Sequence, residues 1–298
     1  MGSMTIPGRT GVVLRDPLPW PELRQVVETA EDTGYAAVFV PEITARDAFV
    51  ALAGFASATN RLSLGTGVVT LDARSAGTTA MAAASLQDLS GGRAILGIGA
   101  GSSGSLDAVR RYLGDVRSSI GELELTDEAR TVPVWLGALG DGMVSLAGEV
   151  ADGVLLNWCT PERVAQATTL VREAAERAGR DPSAVTIGVY VRACLGIDED
   201  VAIAALGAMV GRYAAIPHYQ RQLEAMGLRE AARPSGPPDA VVRALTVSGG
   251  RTQALARFDA FREAGADLVL CYPVPALDPL SSVMGTVLAA APDPAVER

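Results

Sequence analysis

Histidine and cysteine are scarce in this chain, and neither is arranged as a metal or disulfide site. The 298 residues include one histidine, His218. The three cysteines are widely spaced and odd in number, so they match neither a zinc-binding pattern nor a disulfide framework, and they favour a reducing cytoplasm. Each lies in or at the end of an apolar run, where a thiol usually packs as a small apolar group. We therefore predict no metal site and a cytoplasmic location. The cysteines are Cys159, Cys194 and Cys271.

Long apolar runs, a leader sequence and basic clusters are also missing. No apolar run approaches the ~20 residues that span a bilayer, and the first residues lack a basic segment followed by an apolar stretch and a cleavage site. The formal net charge is −9, so a nucleic acid or an anionic membrane would be repelled. These absences disfavour secretion, membrane association and nucleic-acid binding. Residues 1–3 before Met4 are interpreted as a cloning remnant.

Eight short apolar runs organise the chain. Their hydrophobicity is continuous rather than alternating, which indicates strands covered on both faces, as in a parallel sheet enclosed by helices. Amphipathic stretches with helical spacing lie between the runs. The runs are 11–14, 37–41, 62–69, 94–98, 132–136, 153–156, 185–191 and 268–272, and helices are expected at 21–33, 47–59, 79–89, 161–178 and 252–264.

This alternation favours a closed (β/α)8 barrel, or TIM barrel, over an open sheet. We expect one domain over residues 4–298. Residues 200–250 interrupt the rhythm with helical stretches at 202–213 and 219–226 and a proline-rich segment at 234–238. They are predicted to form a helical elaboration between the seventh and eighth strands, acting as a lid or as an oligomer contact.

Two glycine-rich turns follow the fourth and fifth runs. Gly99–Gly104 matches G-x-G-x-x-G, whose backbone amides can approach a phosphate. A Rossmann site is disfavoured because that fingerprint normally opens its domain, while a pocket lining and a plain turn both stay open. Ala138–Gly142 opens a helix whose free amides suit an anion if Asp141 points outward, or it is an ordinary strand-to-helix turn.

Several stretches together resemble the luciferase-like monooxygenase superfamily, particularly the branch that uses the 8-hydroxy-5-deazaflavin coenzyme F420. The specific ones are Leu-Ser-Gly-Gly-Arg at 89–93 and Ala-Gly-Glu-Val-Ala-Asp-Gly at 147–153. Stretches 34–42, 60–68 and 132–140 are similar to the family's second, third and fifth strands. The resemblance is clear over 11–178 and weaker afterwards. It implies a (β/α)8 barrel that holds a flavin or deazaflavin at the carboxyl ends of its strands.

The resemblance also implies which residues form the site. It places a non-proline cis peptide at Gly67–Val68, in a bulge that supports the central cofactor ring, although glycines chosen for tight packing would also explain the glycine pair. The predicted cofactor-binding residues are Glu42, Gly65, Thr66, Gly67, Val68, Gly99, Ala100, Gly101, Ser102, Ala138, Leu139, Gly140 and Asn157. The predicted substrate-pocket residues, which could equally be rim packing, are Trp158, Tyr190, Arg192 and Tyr272.

Glu42 is the predicted catalytic residue, delivering a proton if burial raises its pKa, with water as the alternative donor. Relatives often have an acidic residue followed by histidine here, but Ile43 follows in this chain. Ser102 stands where one dehydrogenase branch has a glutamate, so the sugar-phosphate dehydrogenase reaction is disfavoured. The stretch between Gly101 and Pro133 is shorter than the family's usual insertion, which predicts a more open pocket.

The sequence therefore predicts an F420-dependent oxidoreductase that transfers a hydride to or from a small organic substrate, with the cofactor carrying the chemistry. Two alternatives stay open. One is an FMN-dependent monooxygenase that uses O2 and a separate flavin reductase, and the other is a cofactor-binding paralogue without turnover. Because relatives are commonly dimers, a homodimer is expected.

Overall fold

A computed structural model describes residues 9–15, 18–43, 46–101 and 105–292. All eight apolar runs form strands there, and the third run is divided in two by a break at residues 67–68. A short strand that the sequence did not predict, β9, follows the helical elaboration. The strands are β1 (Thr10–Val13), β2 (Ala37–Val40), β3 (Ser63–Thr66), β4 (Val69–Thr70), β5 (Ala94–Gly99), β6 (Val134–Ala138), β7 (Gly153–Asn157), β8 (Thr186–Leu195), β9 (Thr246–Gly249) and β10 (Leu268–Pro273).

The strands close into a barrel. The order β10-β1-β2-β3-β5-β6-β7-β8 is completed by pairing between β8 and β10, and β4 continues β3 alongside β5. Every pairing is parallel, for example Val12 with Val38 between β1 and β2 and Leu268 with Gly188 between β10 and β8. The predicted (β/α)8 barrel is confirmed, and an open Rossmann sheet is excluded.

Helices connect the strands on the outside of the barrel. Side-chain oxygens of Asp47, Ser75, Ser105 and Thr160 accept a backbone N–H in the first turn of their helices, which explains where these helices begin. The helices are α1 (Trp20–Asp32), α2 (Ala48–Ala58), α3 (Ala76–Ser90), α4 (Leu106–Glu122), α5 (Asp141–Val150), α6 (Pro161–Arg177), α7 (Glu199–Ala214), α8 (Pro217–Ala225), α9 (Asp239–Leu245), α10 (Arg251–Glu263) and α11 (Pro279–Ala289), with 3-10 turns at Glu128–Arg130, Pro182–Ala184 and Arg229–Ala232.

The barrel interior is filled by side chains. Phe39, Trp135, Leu155 and Leu270 belong to one buried cluster inside the strands, while a larger cluster lies between the strands and the surrounding helices. Trp135 and Phe39 pack with ring centroids 5.7 Å apart. Because the interior is occupied, a ligand site is expected at the mouth of the barrel, where the carboxyl ends of the strands meet.

The predicted elaboration is built from α7, α8, α9 and β9. Leu206, Val210, Leu223 and Val242 belong to a second buried cluster, which the elaboration shares with Trp158, Cys194 and Val274 of the barrel. Its strand β9 extends the sheet beyond the barrel by pairing with Arg192–Leu195 of β8. Among the described residues, no single helix is both long and apolar enough to cross a bilayer, and α7 with α8 meets that test only as a pair bent by 107°.

Candidate functional site

The described site residues from the sequence prediction lie at one end of the barrel. Most of them follow β2, β3, β5, β6 and β7 or lie in the last residues of these strands and of β10, and parallel strands bring these ends to a single edge. Tyr190 and Arg192 do not end their strand as predicted, because β8 continues to Leu195, but Arg192 lies at the level of Tyr272 near the end of β10. Ser102 lies outside the described residues. The structure therefore brings the predicted positions together, while their roles towards a ligand stay predictions.

The break between β3 and β4 holds a cis peptide bond at Gly67–Val68, as the resemblance implied. Gly67 donates its N–H to the carbonyl of Val40 at 2.8 Å, and the Tyr190 hydroxyl donates to the Gly67 carbonyl at 3.0 Å. The N–H of Glu42 donates to the Val68 carbonyl at 3.3 Å. Residues of the neighbouring β2 segment and of β8, across the barrel, thus fix this bulge.

The side chain of Thr66 replaces the backbone hydrogen bonds that are missing between β3 and β5 beside the bulge. Direct pairing of β3 with β5 ends at Gly65 and resumes with Val69 of β4. In the gap, the Thr66 hydroxyl accepts the N–H of Gly97 at 2.8 Å and donates to the carbonyl of the same residue at 2.9 Å. The side chain of Thr66 is therefore occupied in holding the strands together.

Glycines on β5 and β6 leave room for the side chain of Val68. A Cβ at Gly99 would overlap the Val68 side chain, and one at Gly137 would lie 3.1 Å from it. Gly65 has a different reason to be glycine, because a Cβ there would overlap the ring of Phe39 inside the barrel. Gly101 has a φ of +58°, where L side chains are strained.

Glu42 forms an ion pair with Arg74. The carboxylate accepts from Arg74 Nε at 2.7 Å and Nη2 at 2.9 Å, and from the N–H of Ala48 at 3.0 Å. Arg74 also pairs with Asp47, and the hydrogen bond from Arg74 to Glu42 raises the pKa of the guanidinium. Both carboxylate oxygens of Glu42 are engaged as acceptors, an arrangement that suits an ionised positioning group better than a proton donor. These residues line a cavity of about 590 Å³ with Ile43.

The amino terminus of α5 is open to solvent. Gly140 is its exposed N-cap residue, and no side chain in the described part of the chain caps it, so the amides of its first turn and the helix dipole suit an anion. Asp141 is turned towards Arg163, whose Nη1 lies 2.8 Å from its carboxylate, and Arg163 donates a second bond to the Leu139 carbonyl at 3.0 Å. The acidic residue in this turn is therefore paired.

The other side of the mouth contains a buried arginine surrounded by rings. Its guanidinium carbon lies 4.2 Å from the ring centroid of Trp158, 4.6 Å from Tyr272, 5.5 Å from Tyr213 and 5.8 Å from Tyr190. We call Arg192 and these four rings the arginine cage. Arg192 is 2% exposed, so the predicted substrate-pocket residues are packed against one another rather than around an open space.

Three polar residues support the cage from α8 and the end of β7. Arg192 donates to the Asn157 side-chain oxygen, and the Asn157 amide donates to the Tyr219 hydroxyl at 3.1 Å. Gln222 donates to the Asn157 and Trp158 carbonyls at 2.9 and 3.2 Å. Burial raises the pKa of Tyr219 to about 12, so its hydroxyl stays protonated at neutral pH.

Sequence reasoning missed several of these residues, namely Arg74, Arg163, Tyr213, Tyr219 and Gln222. Arg74 and Arg163 lie in the segments that follow β4 and β7, while the other three come from α7 and α8, distant in sequence from the strand ends they contact. Local spacing carries no signal for the side-chain contacts that bring any of them to the mouth. His218 is exposed on α8 and packs beside Tyr219 with ring centroids 4.5 Å apart.

A family model described as luciferase-like monooxygenase matches residues 1–109 and 105–268. The chain belongs to the luciferase-like monooxygenase family. It is 33% identical over 215 residues to 5,10-methylenetetrahydromethanopterin reductase of Methanolobus tindarius, over 63% of this chain and 65% of the relative. It is 31% identical over 223 residues to a Mycobacterium tuberculosis protein provisionally named as a coenzyme F420-dependent oxidoreductase, over 61% of this chain and 64% of that protein.

A solved structure shares the fold across nearly the whole chain. The coenzyme F420-dependent tetrahydromethanopterin reductase of Methanopyrus kandleri superposes with a TM-score of 0.74 at 20% identity, covering 95% of this chain and 98% of that one. The chain spans slightly less than two thirds of the length of the curated relatives named above. Family and fold are thus established by independent comparisons.

Proposed function

We propose that this protein is a coenzyme F420-dependent oxidoreductase that transfers a hydride to or from a small organic substrate. Its family and the names of its relatives support this proposal. The observation that carries it is the Gly67–Val68 bulge, whose half-buried Val68 side chain packs on glycines of β5 and β6. A bulge held in this way at the mouth of a filled barrel suits the support of one face of a planar ring system.

The residues present also fit a cofactor that carries a phosphate. At Gly140, the N-cap of α5, a Cβ would meet no atom within 4 Å, so an anion can approach the backbone closely. The ion pair with Arg163 reduces the repulsion that Asp141 would otherwise exert on it. We infer that the α5 amides and Arg163 hold the phosphate while Val68 supports the ring.

When bound, F420 supplies the hydride-transfer chemistry, and the protein supplies the orientation of cofactor and substrate. We infer that Glu42 orients Arg74 and the start of α2 at the cavity between them, since its carboxylate accepts hydrogen bonds from both. Proton delivery is then assigned to water. The prediction that Glu42 itself donates a proton stays open to a pH profile of the Glu42→Gln variant.

The decisive experiment is a calorimetric titration that measures the binding of oxidised F420, reduced F420 and FMN to the purified protein. We expect F420 to bind at least about tenfold more tightly than FMN, a difference of about 1.4 kcal/mol. Tight FMN binding without F420 binding would contradict the proposal and favour the monooxygenase with its separate flavin reductase. F420 binding without turnover across a panel of acceptors would favour the non-catalytic paralogue.

The assignment of the phosphate to the α5 terminus can be tested separately by substitutions at Arg163 and Asp141. Arg163→Met should weaken F420 binding about tenfold, because it removes a cation and leaves Asp141 unpaired beside the anion. Adding Asp141→Asn should restore part of the loss. Arg177→Met, on the exposed end of the same helix, is the matched control and should bind like the parent protein. Equal affinities for all variants would remove the α5 terminus from the site. A homodimer and a cytoplasmic location stay predictions.

A further inference from the structure

Arg192 is a buried cation for which the described residues provide no anion. Its guanidinium donates to a neutral amide oxygen of Asn157, and no ion pair among the described residues includes it. Burying a charge is costly unless it is paired. The four rings of the cage offset part of that cost through cation–π contacts. The charge itself is left without a counter-ion.

The same cluster contains buried polar atoms that have no hydrogen-bond partner among the described residues. They are Nε of Arg192, Nε1 of Trp158 and Oε1 of Gln222. Both nitrogens are donors, and they belong to two stacked side chains, since the guanidinium carbon lies 4.2 Å from the centroid of the Trp158 ring. Buried donors normally have partners. An unmet pair of N–H groups next to an unpaired cation indicates a place for an acceptor that carries negative charge.

The backbone of Trp158 adds a second, independent observation. Its φ is +53°, which is an outlier for a bulky side chain and is typical of positions with a functional constraint. This conformation directs the chain from β7 into the Thr160 cap of α6 while the indole remains in the cage. An apolar ring that only filled space would not require this backbone.

The arginine cage lies where β8 stops pairing with β7 and begins to pair with β9. Tyr190 of β8 still pairs with Asn157 of β7, but two residues later Arg192 pairs with Thr246 of β9. Tyr190 also contacts the bulge through its bond to Gly67. The cage therefore contacts the bulge assigned to the cofactor ring, and its Trp158 follows β7, the strand next to the one that leads into α5.

We propose that Arg192 and Trp158 bind a carboxylate group of the substrate, so that the substrate class is a small organic acid. That the acid is a substrate rests on the proposed function, whereas the binding of a carboxylate does not. A planar guanidinium N–H and an indole N–H match the two oxygens of a carboxylate. The rings of the cage would enclose the apolar remainder of the acid. Because Arg192 and Trp158 are each only 2% exposed, binding of the acid requires a movement of α7 and α8, which supply Tyr213 and Gln222.

The test begins with the parent protein and no cofactor. Sodium benzoate and neutral benzamide, matched in shape, are titrated by calorimetry at constant ionic strength. We expect benzoate to bind about ten- to a hundredfold more tightly than benzamide, the range for a hydrogen bond to a charged group. Equal binding of the two, or binding of neither, would overturn the proposal. The N–H groups of Arg192 and Trp158 would then be assigned to hydrogen bonds with water.

Two variants locate the site. Arg192→Met keeps the length of the side chain and should lose the preference for benzoate, and Trp158→Phe should lose part of it while keeping the ring. Arg257→Met is the matched control, because Arg257 also stacks on a ring and has an unpartnered Nε but lies on α10 away from the mouth. Circular dichroism melts show whether each variant folds. Unchanged benzoate selectivity in the folded Trp158→Phe or Arg192→Met protein would overturn the assignment.

A final arm separates this proposal from the proposed function. If benzoate binds and F420 does not, the carboxylate site stands and the proposed function fails. If F420 binds and benzoate does not, the proposed function stands and the carboxylate site fails. If benzoate competes with F420, and Arg192→Met weakens F420 to the same extent as benzoate, the anion belongs to the cofactor and the substrate assignment is overturned.

Discussion

The two sides of the barrel mouth are built in different ways. The glycine side, from β3 to β6, presents a bulged backbone, small residues and a helix terminus. The aromatic side, from β7 to β10 with α7 and α8, presents large side chains around Arg192. A surface made of backbone tolerates little change and suits a ligand that is always the same. A surface made of side chains is easily altered and suits a ligand that differs between relatives.

One hydrogen bond joins the two sides directly. The hydroxyl of Tyr190, on the aromatic side, donates to the Gly67 carbonyl of the bulge. Burial holds the pKa of this phenol well above its usual value, so the donor proton stays in place across the physiological range. The comparison between the two sides can be tested by variants that damage one side and spare the other.

The largest effect is expected from Gly97→Ala. A Cβ at Gly97 would overlap the Thr66 backbone carbonyl, and because backbone cannot swing aside, the β3–β5 junction has to distort. We expect a loss of about 3 kcal/mol or more in the free energy of unfolding, measured by urea denaturation. Gly114→Ala on exposed α4, where a Cβ meets nothing, is the control and should stabilise by about 0.5–1 kcal/mol. Equal stability of the Gly97 variant and the parent would show that the backbone of this side is adaptable.

The second largest loss of stability is expected from Glu42→Gln. It replaces the ionised partner of Arg74 with a neutral one at a site where both side chains are about 15% exposed, so we expect a loss of about 2 kcal/mol. Glu149→Gln, which breaks an exposed pair with Arg110, should cost less than about 0.5 kcal/mol. If both variants unfold at the same denaturant concentration, Glu42 has no positioning role.

Tyr190→Phe tests the link between the sides and should cost about 1 kcal/mol, the value of one buried hydrogen bond. Tyr35→Phe is the matched control, since its hydroxyl donates to the Val287 carbonyl at 2.8 Å far from the mouth. Both variants should lose similar stability, but only Tyr190→Phe should weaken F420 binding. A loss of F420 affinity in the Tyr35 variant would mean that affinity follows overall stability instead.

The smallest effect is expected from Asp47→Asn, about 0.5 kcal/mol at neutral pH, because asparagine keeps the cap of α2 and loses only the charge towards Arg74. Burial alone would raise the pKa of Asp47, but hydrogen bonds from the Val50 N–H and from Arg74 lower it overall. A lowered pKa means that the ionised side chain stabilises the fold above the ordinary aspartate range and that this contribution is lost as pH falls through the folded pKa. The stability difference should therefore vanish in acid, and a difference that persists at pH 2–3 would contradict this account.

The barrel could be predicted because its strands are continuous apolar runs with capped helices between them. β9 could not, since Thr246-Val-Ser-Gly is short and half polar, and its pairing depends on the end of β8, more than 50 residues earlier. The positions of the site followed from the strand ends. Their contacts did not, because the pairing of Glu42 with Arg74 and the stacking of Tyr213 on the cage depend on side chains that meet only in three dimensions.

Resemblance supplied what spacing could not. The cis bond at Gly67–Val68 was expected from the family and is present, whereas the two glycines alone were compatible with an ordinary strand. Whether Trp158, Tyr190, Arg192 and Tyr272 line a substrate pocket stays a prediction, and their close packing around Arg192 could not be read from the sequence, because a sequence does not show which way a long side chain turns.

The helical elaboration leaves and rejoins the barrel at adjacent points. The N–H of Gly196, just after β8, donates to the carbonyl of Gly249, the last residue of β9, at 2.9 Å. The segment between these two residues also packs on the barrel, because its apolar cluster includes Trp158, Cys194 and Val274. A replacement segment of different length could therefore start and end at the same two residues, but it would have to supply the side chains that cover Trp158.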